Sequence, residues 1–421
     1  MSMTDVIRQA CILVGGKGTR LGDLARMVPK PLLEIAPGTT FLDLVIGELA
    51  RQGFNDLVLL AGHLGDVVRE RYDGRTVAAA RVRVVIEPEP RGTGGALTCA
   101  GDLLTPRFLL LNGDSLFDIN MRALAAEPMA ADVEGLLALR RIADPARYGT
   151  VALTDNRITG FREKNPAVSG PALINAGIYV LRASVINRVS TLPCSIETDI
   201  FPALAREGRL AGVEREGYFL DIGLPETLAQ GRRELLAVRR RPAVFLDRDG
   251  VLNVDHGYVH RPDQIDWIPG AIAAVRSLND LGYRIVVVTN QAGVAHGHYE
   301  EEAVHTLHAW MRDALAAHGA FIDAFYHCPY HPDGKVERFR IAHVDRNPGP
   351  GMILRALADL DIDKENSFLI GDKQSDIAAA EAAGIPGFLF AGGNLAEFVD
   401  DCRKRRVGAA LGLQAGGEFA P

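Results

Sequence analysis

The sequence FLDRDG, residues 245–250, contains two aspartates, Asp247 and Asp249, that follow an apolar segment and precede a glycine. A short apolar run of this kind is typical of a buried strand, and the side chains that follow it lie at the edge of a sheet. A second stretch, ILVGGKGTR at residues 12–20, has a comparable layout with glycines in place of the aspartates. The sequence therefore predicts two enzyme units in succession along one chain.

The composition narrows the class of protein. A chain of 421 residues is longer than one typical domain, and a hydrophobic content of 48% can fill complete cores. The net charge of −7 argues against nucleic acid as a partner, so phosphates would need local basic groups or metal ions. Five scattered cysteines, no signal-peptide pattern and no bilayer-length apolar run predict a soluble cytoplasmic protein without a membrane partner.

Short apolar runs alternate with helical patterns along the chain, which predicts an α/β fold with two Rossmann-like three-layer domains. A basic run and a proline before residue 243 indicate the junction between them. The predicted segments are a first domain at 1–236, a linker at 237–242, a second domain at 243–398 and a loosely ordered tail at 399–421. The strand candidates are residues 11–16, 56–62, 81–87, 107–114, 176–181, 243–249, 284–290 and 367–372.

The glycine-rich segment after the first strand is suited to phosphate binding, because glycines let backbone N–H groups approach phosphate oxygens closely. Cations for a triphosphate stand in or near it at Lys17, Arg20 and Lys30. The segment is neither a Walker A loop nor a G-x-G-x-x-G fingerprint, and a glycine-rich turn alone is a plain turn about as often as a ligand site. The full string, G-G-x-G-T-R-L followed by P-K-P, is more specific.

This string resembles the sugar-nucleotidyltransferase family, which includes mannose-1-phosphate and heptose-1-phosphate guanylyltransferases, over about residues 8–236. Further stretches match in the family's order: EPRGTGGAL (89–97), LLNGDSLFD (110–118), FREKNP (161–166), INAGIYV (174–180) and YFLDIGLPE (218–226). The resemblance implies a mixed sheet and a nucleotide site at Gly15, Gly16, Gly18, Thr19, Lys30, Gly92, Thr93 and Gly94. It also implies a sugar-phosphate site at Glu163, Lys164 and Asn175, and a magnesium site at Asp114 and Asp221.

The chemistry that the resemblance implies agrees with these residue types. A sugar phosphate attacks the α-phosphorus of a nucleoside triphosphate and pyrophosphate leaves, a step that depends on positioning and charge neutralisation. Asp114 and Asp221 would hold one Mg²⁺. Lys17 and Arg20 would stabilise the leaving pyrophosphate, and Lys164 would fix the attacking phosphate. The wording of the motifs favours GTP, although the sequence does not separate it from ATP, CTP or UTP.

Three motifs of the second half follow three strand candidates in order. FLDRDGVLN begins at Phe245, VVVTNQAG at Val286 and IGDKQSD at Ile370, and together they resemble the haloacid dehalogenase superfamily, which implies a parallel sheet. The resemblance makes Asp247 the nucleophile and Asp249 the general acid and base. Thr289 and Asn290 would hold the phosphoryl group. Asp247, Asp249 and Asp372 would bind Mg²⁺, with Asp376 in support.

Residues 243–390 resemble more closely the D-glycero-D-manno-heptose-1,7-bisphosphate 7-phosphatases, with one altered loop at 328–351. The family's zinc loop has the form C-x-H…C-x-C followed by R-K-P. Here its later ligand positions hold Tyr330, His343 and Asp345, and the lysine position holds Asn347. Two alternatives are open: the loop binds zinc through Cys328, His331, His343 and Asp345, or it folds without metal. Arg346 or Lys373 could replace the missing lysine.

Together the two halves predict a bifunctional enzyme of nucleotide-activated heptose synthesis. The second half would remove the 7-phosphate of a heptose bisphosphate, and the first would transfer a nucleotidyl group to the heptose 1-phosphate that results. A second hypothesis is a working nucleotidyltransferase with a non-catalytic phosphatase-like module. Its motivation is that Asn347 stands where the family has lysine and His296 stands where the family usually has arginine. A third keeps both activities on mannose or another sugar.

Overall fold

The computed structural model describes residues 6–16, 20–22, 26–145, 149–162 and 170–410, with side chains as far as residue 406. The chain divides into two compact units between Val238 and Arg239. No helix in these described ranges is both long enough and apolar enough to cross a membrane.

The first unit is built on one mixed sheet, which has ten strands in the described residues, in the order β10-β11-β13-β9-β12-β7-β1-β4-β6-β5. Two short ribbons, β2–β3 and β8–β14, stand beside it. The strands are β1 (Gln9–Leu13), β2 (Glu34–Ala36), β3 (Thr39–Thr40), β4 (Asp56–Ala61), β5 (Thr76–Val77), β6 (Ala80–Ile86), β7 (Arg107–Asn112), β8 (Ser115–Phe117), β9 (Gly135–Ile142), β10 (Thr150–Thr154), β11 (Arg157–Arg162), β12 (Ala172–Arg182), β13 (Leu210–Glu214) and β14 (Phe219–Asp221). The helices are α1 (Phe41–Arg51), α2 (Gly65–Tyr72), α3 (Gly92–Cys99), α4 (Met121–Ala126), α5 (Phe201–Arg206) and α6 (Pro225–Arg239).

This sheet is covered on both faces, as continuous apolar strands require. Successive side chains of β1 point to opposite faces, so Ala10 and Ile12 join one core cluster and Cys11 joins the other. Strands β4 and β7 run parallel to β1, whereas β12 runs antiparallel to β7. The first half therefore confirms the predicted three-layer α/β fold with a mixed sheet.

The second unit has a five-stranded parallel sheet in the order β17-β16-β15-β18-β19. Side chains alternate here too: Val244 and Leu246 join one core cluster, and Ala243 and Phe245 join the other. The strands are β15 (Ala243–Leu246), β16 (Arg284–Asn290), β17 (Ala324–Cys328), β18 (Phe368–Gly371) and β19 (Gly387–Leu389). The helices are α7 (Ala271–Asp280), α8 (Ala292–His296), α9 (Glu301–Ala316), α10 (Gly351–Asp359), α11 (Gln374–Ala383) and α12 (Leu395–Ala410).

All eight strand candidates correspond to observed strands. The segment expected as a linker, 237–242, contains the division between Val238 and Arg239, although α6 extends into it. Helix α6 continues to Arg239. Arg241 is buried, and its backbone forms hydrogen bonds with the backbone of Asp361 and Asp363. The expectation of loose order from residue 399 is wrong as far as 410, since α12 covers that range. Leu395, Val399 and Cys402 have helical spacing and are buried in the core, a pattern that the surrounding small and basic residues conceal.

Candidate active sites

The glycine-rich segment of the first unit lies at the carboxyl edge of the sheet. Strands β4 and β7 flank β1 on opposite sides, so β1 ends where the strand order reverses, which is where α/β sheets bind ligands. Gly15 follows β1, and a Cβ there would lie 2.9 Å from the backbone nitrogen of Gly62 and 3.3 Å from Oε1 of Glu87. The turn therefore needs glycine at this position, while Gly16 beside it is exposed.

Only some of the residues predicted at this edge belong to the described ranges. Arg20 is described and exposed. The others lie outside the described residues, and their roles stay predictions: Lys17, Gly18, Thr19, Glu163 and Lys164.

The two predicted magnesium ligands of the first unit come together around one ammonium group. Asp114 directly precedes β8, and Asp221 ends β14, the strand that pairs with β8. Lys30 Nζ lies 2.5 Å from Asp114 Oδ2 and 3.5 Å from Asp221 Oδ1. The sequence predicts Lys30 as a nucleotide contact. In the structure, its ammonium group forms ion pairs with both carboxylates. Two partly exposed carboxylates that converge on a cation are a donor set that fits Mg²⁺.

The segment Gly92–Gly94 binds another part of its own chain. Gly92 has a φ of 78°, and a Cβ on it would lie 2.4 Å from the carbonyl oxygen of Cys194. The Gly94 N–H donates to the same oxygen at 2.9 Å, so this amide is already used. Thr93 Oγ1 donates to Glu197 at 2.7 Å and accepts from Ile196 N. The predicted nucleotide contacts of these residues stay a prediction, but the Gly94 amide is not available for one.

An open pocket of about 550 Å³ contains the predicted sugar residue Asn175. The Asn175 side chain is fixed, because Nδ2 donates to the Tyr179 hydroxyl at 3.0 Å and Oδ1 accepts from Gly177 N at 2.9 Å. The pocket lining also includes Arg162, Glu197 and Arg206. Two guanidinium groups and one carboxylate beside an amide suit a ligand with both hydroxyl and phosphate groups.

In the second unit, Asp247 follows the central strand β15, and Asp372 follows the adjacent β18. Asp247, Asp372 and Asp376 place their carboxylate oxygens within 4.8 Å of one another. An adjoining pocket of about 260 Å³ is lined by Asp247 and Asp249 together with Thr289, Asn290, Lys373 and others. The structure therefore brings the residues of all three sequence motifs to one edge of the parallel sheet.

The charge of this cluster is poorly compensated by the protein alone. Burial raises the pKa of Asp247 well above its usual range, and the neighbouring carboxylates raise it further. Burial likewise raises the pKa of Asp376. None of the described residues donates a hydrogen bond to the buried Oδ1 of Asp372. An oxygen-rich site with too few positive partners fits a divalent cation such as Mg²⁺.

The sequence also predicts Asp249 as a metal ligand. In the structure, both oxygens of its carboxylate accept hydrogen bonds. Arg248 Nη2 donates to Oδ2 at 2.8 Å, and Asn253 Nδ2 donates to Oδ1 at 2.9 Å. Gln291 Nε2 adds a bond to Oδ2 at 3.2 Å. The carboxylates that lie within 4.8 Å of one another are those of Asp247, Asp372 and Asp376. A carboxylate oxygen that accepts a hydrogen bond keeps a second lone pair, so Asp249 as a metal ligand stays a prediction.

Sequence reasoning did not include the side chains that hold Asp249. Arg248 is fully buried, although arginine between two aspartates looks like a surface residue in the sequence. Gln291 also binds Thr289 Oγ1 at 2.9 Å and accepts from the Tyr299 hydroxyl at 2.8 Å. The available signal was that Arg248 lies inside FLDRDGVLN and Gln291 inside VVVTNQAG.

The altered loop holds no cluster of the four predicted zinc ligands. Cys328, His331, His343 and Asp345 are all described, and they do not form one of the compact ligand groups found among the described residues. The His343 ring stacks on Tyr330 with centroids 4.4 Å apart, and Asp345 forms an ion pair with Arg355 at 3.0 Å. His343 and Asp345 therefore form a stacked pair and an ion pair here, and both alternatives for this loop, with and without zinc, stay predictions.

The remaining changes in the loop surround the aspartates. Asn347 is buried, and its Nδ2 donates to Asp376 Oδ1 at 2.6 Å. Its backbone N–H donates to Asn290 Oδ1 at 3.2 Å. Arg346 is absent from the lining of the aspartate pocket, whereas Lys373 is present. His296, at the family's arginine position, has its ring 4.8 Å from that of His331.

Lys373 is the cation that the described residues bring to this pocket. Its Nζ lies 3.2 Å from Asp255 Oδ2 and 3.7 Å from Asp372 Oδ2. Burial alone would lower the pKa of Lys373, but the carboxylates of Asp372, Asp255 and Asp247 outweigh that effect and raise the pKa. Lys373 is therefore positively charged near neutral pH, and it lines the same pocket as the predicted nucleophile Asp247.

Comparison with family models gives a match on each half. The nucleotidyl transferase model matches residues 9–237, and the HAD-hydrolase-like model matches residues 344–405. The D-glycero-β-D-manno-heptose-1,7-bisphosphate 7-phosphatase of Rhodopseudomonas palustris is 49% identical over 160 residues, which are 38% of this chain and 89% of that protein. The enzyme of the same name from Escherichia coli K12 is 49% identical over 144 residues, 34% of this chain and 75% of its own.

Comparison with solved structures gives matches to parts of this chain. HddC from Yersinia pseudotuberculosis, solved in complex with GMP-PN, is 27% identical, covers 54% of this chain and all of its own, and has a TM-score of 0.49. A HAD-like phosphatase from Mesorhizobium loti is 32% identical, covers 39% of this chain and 87% of its own, and has a TM-score of 0.37.

Proposed function

Because the chain belongs to the nucleotidyl transferase family in its first half and to the D-glycero-β-D-manno-heptose-1,7-bisphosphate 7-phosphatase family in its second, we propose that it carries out two consecutive steps of nucleotide-activated heptose synthesis. The second unit hydrolyses the 7-phosphate of the heptose 1,7-bisphosphate. The first unit transfers a nucleotidyl group, GMP from GTP, to the heptose 1-phosphate. The observation that carries the proposal is that each unit gathers its motif carboxylates at a strand edge.

The phosphatase step follows from the positions of Asp247 and Asp249. A carboxylate oxygen of Asp247 attacks phosphorus and the bond to the sugar oxygen breaks, while Asp249 donates a proton to that oxygen. Water then attacks the aspartyl phosphate, Asp249 takes up its proton, and inorganic phosphate leaves. The hydrogen bonds from Arg248, Asn253 and Gln291 hold Asp249 in one orientation for both proton transfers.

The transferase step depends on binding and orientation. The phosphate oxygen of heptose 1-phosphate attacks the α-phosphorus of the nucleoside triphosphate, and pyrophosphate leaves with the electrons of the broken bond. Backbone N–H groups of the Gly15–Gly16 turn and the cations Lys17 and Arg20 neutralise the triphosphate and the leaving group. Asn175 positions the sugar in the 550 Å³ pocket.

Both steps require a divalent cation in this proposal. Asp114 and Asp221 would hold Mg²⁺ in the first unit, and Asp247, Asp372 and Asp376 would hold it in the second. When bound, Mg²⁺ neutralises phosphate charge and lowers the repulsion between the phosphate and the carboxylates. We place no zinc in the altered loop.

The loss of the motif lysine favours one alternative, in which the second unit is a non-catalytic module. Asn347 forms the hydrogen bond to Asp376 described above and carries no charge. We propose instead that Lys373 supplies the positive charge beside Asp247, because it lines the same pocket and its pKa is raised. Retained phosphatase activity therefore depends on Lys373.

The test uses the full-length chain with the heptose 1,7-bisphosphate, GTP and Mg²⁺. Phosphate, pyrophosphate and the sugar nucleotide are measured separately. Asp247→Asn should lower phosphate release at least about 10³-fold and leave pyrophosphate release from heptose 1-phosphate unchanged. Asp221→Asn should lower pyrophosphate release and leave phosphate release from the bisphosphate unchanged. The control is Asp400→Asn, which changes an exposed aspartate on α12 and should affect neither product.

Each half of the proposal can fail separately. Phosphate release that is absent in the unmodified protein, or unchanged in Asp247→Asn, would favour the non-catalytic module. A panel that includes mannose 1-phosphate tests the sugar, and a higher kcat/KM for mannose 1-phosphate than for heptose 1-phosphate would contradict the heptose assignment. Substitution of ATP, CTP or UTP for GTP tests the base.

A further inference from the structure

Two histidines and a glutamate of the second unit form a compact group away from the aspartate cluster. Glu301 and His305 are one helical turn apart at the start of α9, and His327 lies on β17. Their ligand atoms all lie within 4.8 Å of one another. His327 Nε2 is 2.8 Å from Glu301 Oε1, and the rings of His305 and His327 are 5.1 Å apart.

This set of side chains matches the ligands of a three-residue metal site. Imidazole nitrogens and a carboxylate are the nitrogen and oxygen donors that Zn²⁺ accepts, with water as a fourth ligand. Ligand atoms at about 2.0–2.1 Å from a tetrahedral ion are about 3.4 Å from each other, so the group needs only small side-chain movements. We propose that Glu301, His305 and His327 bind a transition-metal ion of the Zn²⁺ class.

The surroundings of the group are compatible with a cation. The three residues line a pocket of about 360 Å³, so an ion and its water ligand have room and an entry path. Arg355 also lines the pocket, but its charge is balanced by the ion pair with Asp345.

The proposed ligands differ from those of the altered loop and of the predicted magnesium site, although His343 and Asp345 of the loop line the same pocket. The proposed site uses none of Cys328, His331, His343 or Asp345, and its nitrogen ligands differ from the oxygen ligands of the aspartate cluster. The ion would tie the start of α9 to the end of β17. Because Cys328 follows His327 directly, that tie holds the start of the loop that carries Arg346 and Asn347.

The test is a Zn²⁺ titration of the untagged full-length protein, stripped of metal and kept in excess Mg²⁺ so that the carboxylate sites are filled. Calorimetry should show one Zn²⁺ per chain, and Co²⁺ should give the visible absorption of a tetrahedral site. His305→Ala and His327→Gln should each weaken Zn²⁺ binding at least tenfold and remove the Co²⁺ absorption. His305 is exposed, so its substitution does not disturb the core.

The matched control is His318→Ala, which removes an exposed histidine two residues after α9. It should bind Zn²⁺ like the unmodified protein. The proposal is overturned if the unmodified protein binds no Zn²⁺ under these conditions, because His327 and Glu301 would then be only a hydrogen-bonded pair. It is also overturned if His305→Ala binds normally while His343→Ala does not, because the ion would then belong to the loop.

Discussion

His308 should make the second unit sensitive to acid. It is buried on α9, its ring stacks on Phe325 at 4.3 Å, and its Nε2 lies 3.4 Å from Arg248 Nη1. Burial, followed by the positive charge of Arg248, lowers the pKa of His308 to about 2. The perturbation is His308→Gln, because glutamine can still accept a hydrogen bond from the buried guanidinium but does not titrate.

The magnitude follows from proton uptake by the unfolded chain. Below its ordinary pKa of 6.5, the unfolded histidine binds a proton that folded His308 does not bind. The free energy of unfolding therefore falls by about 1.4 kcal/mol per pH unit as the pH decreases from 6.5 toward 2. Between pH 7.5 and pH 4.5, this one ring should cost the native protein about 2–3 kcal/mol, and His308→Gln should avoid that loss.

Tryptophan fluorescence can follow the second unit alone, because both tryptophans, Trp267 and Trp310, lie there. Urea unfolding in EDTA at pH 7.5 and 4.5 gives the loss of stability for each variant. His318→Gln, which changes an exposed histidine, should lose as much as the native protein. Equal losses in the native protein and in His308→Gln would refute the assignment of a neutral buried ring.

Three further predictions test other features. Gly92→Ala forces a Cβ against the Cys194 carbonyl at a φ of 78°, and it should destabilise the first unit by about 2 kcal/mol or more in calorimetric unfolding; an unchanged midpoint would contradict this. Asp247→Asn should stabilise the metal-free second unit against urea near pH 7, because the raised pKa of Asp247 means that its ionisation disfavours the fold above pH 3.8. The gain should vanish at pH 3, and a loss of stability at pH 7 would contradict this prediction. Lys373→Met should lower phosphatase kcat/KM about 10²-fold or more, whereas the control Lys335→Met, which changes an exposed lysine, should not. Equal kcat/KM values for Lys373→Met and the unmodified protein would exclude Lys373 as the compensating charge.

The sequence alone predicts features that depend on residues close to one another in the chain. Buried strands such as β1 and β15 are continuous apolar runs, and the motif residues that follow them must reach one edge because the strands are parallel. The positions of Asp247, Thr289 and Asp372 could therefore be predicted together. The fold class followed from the same alternation of apolar runs and helical patterns.

Features that depend on distant partners could not be predicted. Lys30 meets Asp114 and Asp221 only because β8 pairs with β14 about a hundred residues later. His305 and His327 come from a helix and a strand whose relative placement no local pattern contains. The helix at residues 399–410 is not predicted by the sequence, because three apolar side chains at helical spacing are a weak signal among small and basic neighbours.

Strand β15, which directly precedes Asp247, is the first strand of its unit in the chain but the central one in the sheet. During synthesis, β15 therefore emerges from the ribosome well before β18, its neighbour on one side, which follows after more than a hundred residues. The first unit, by contrast, is contiguous up to Val238 and can fold before any of this is made. We therefore expect the transferase half to fold first. Until its neighbouring strands are synthesised, β15 has unpaired edges, and its short length of four residues limits incorrect pairing with other strands.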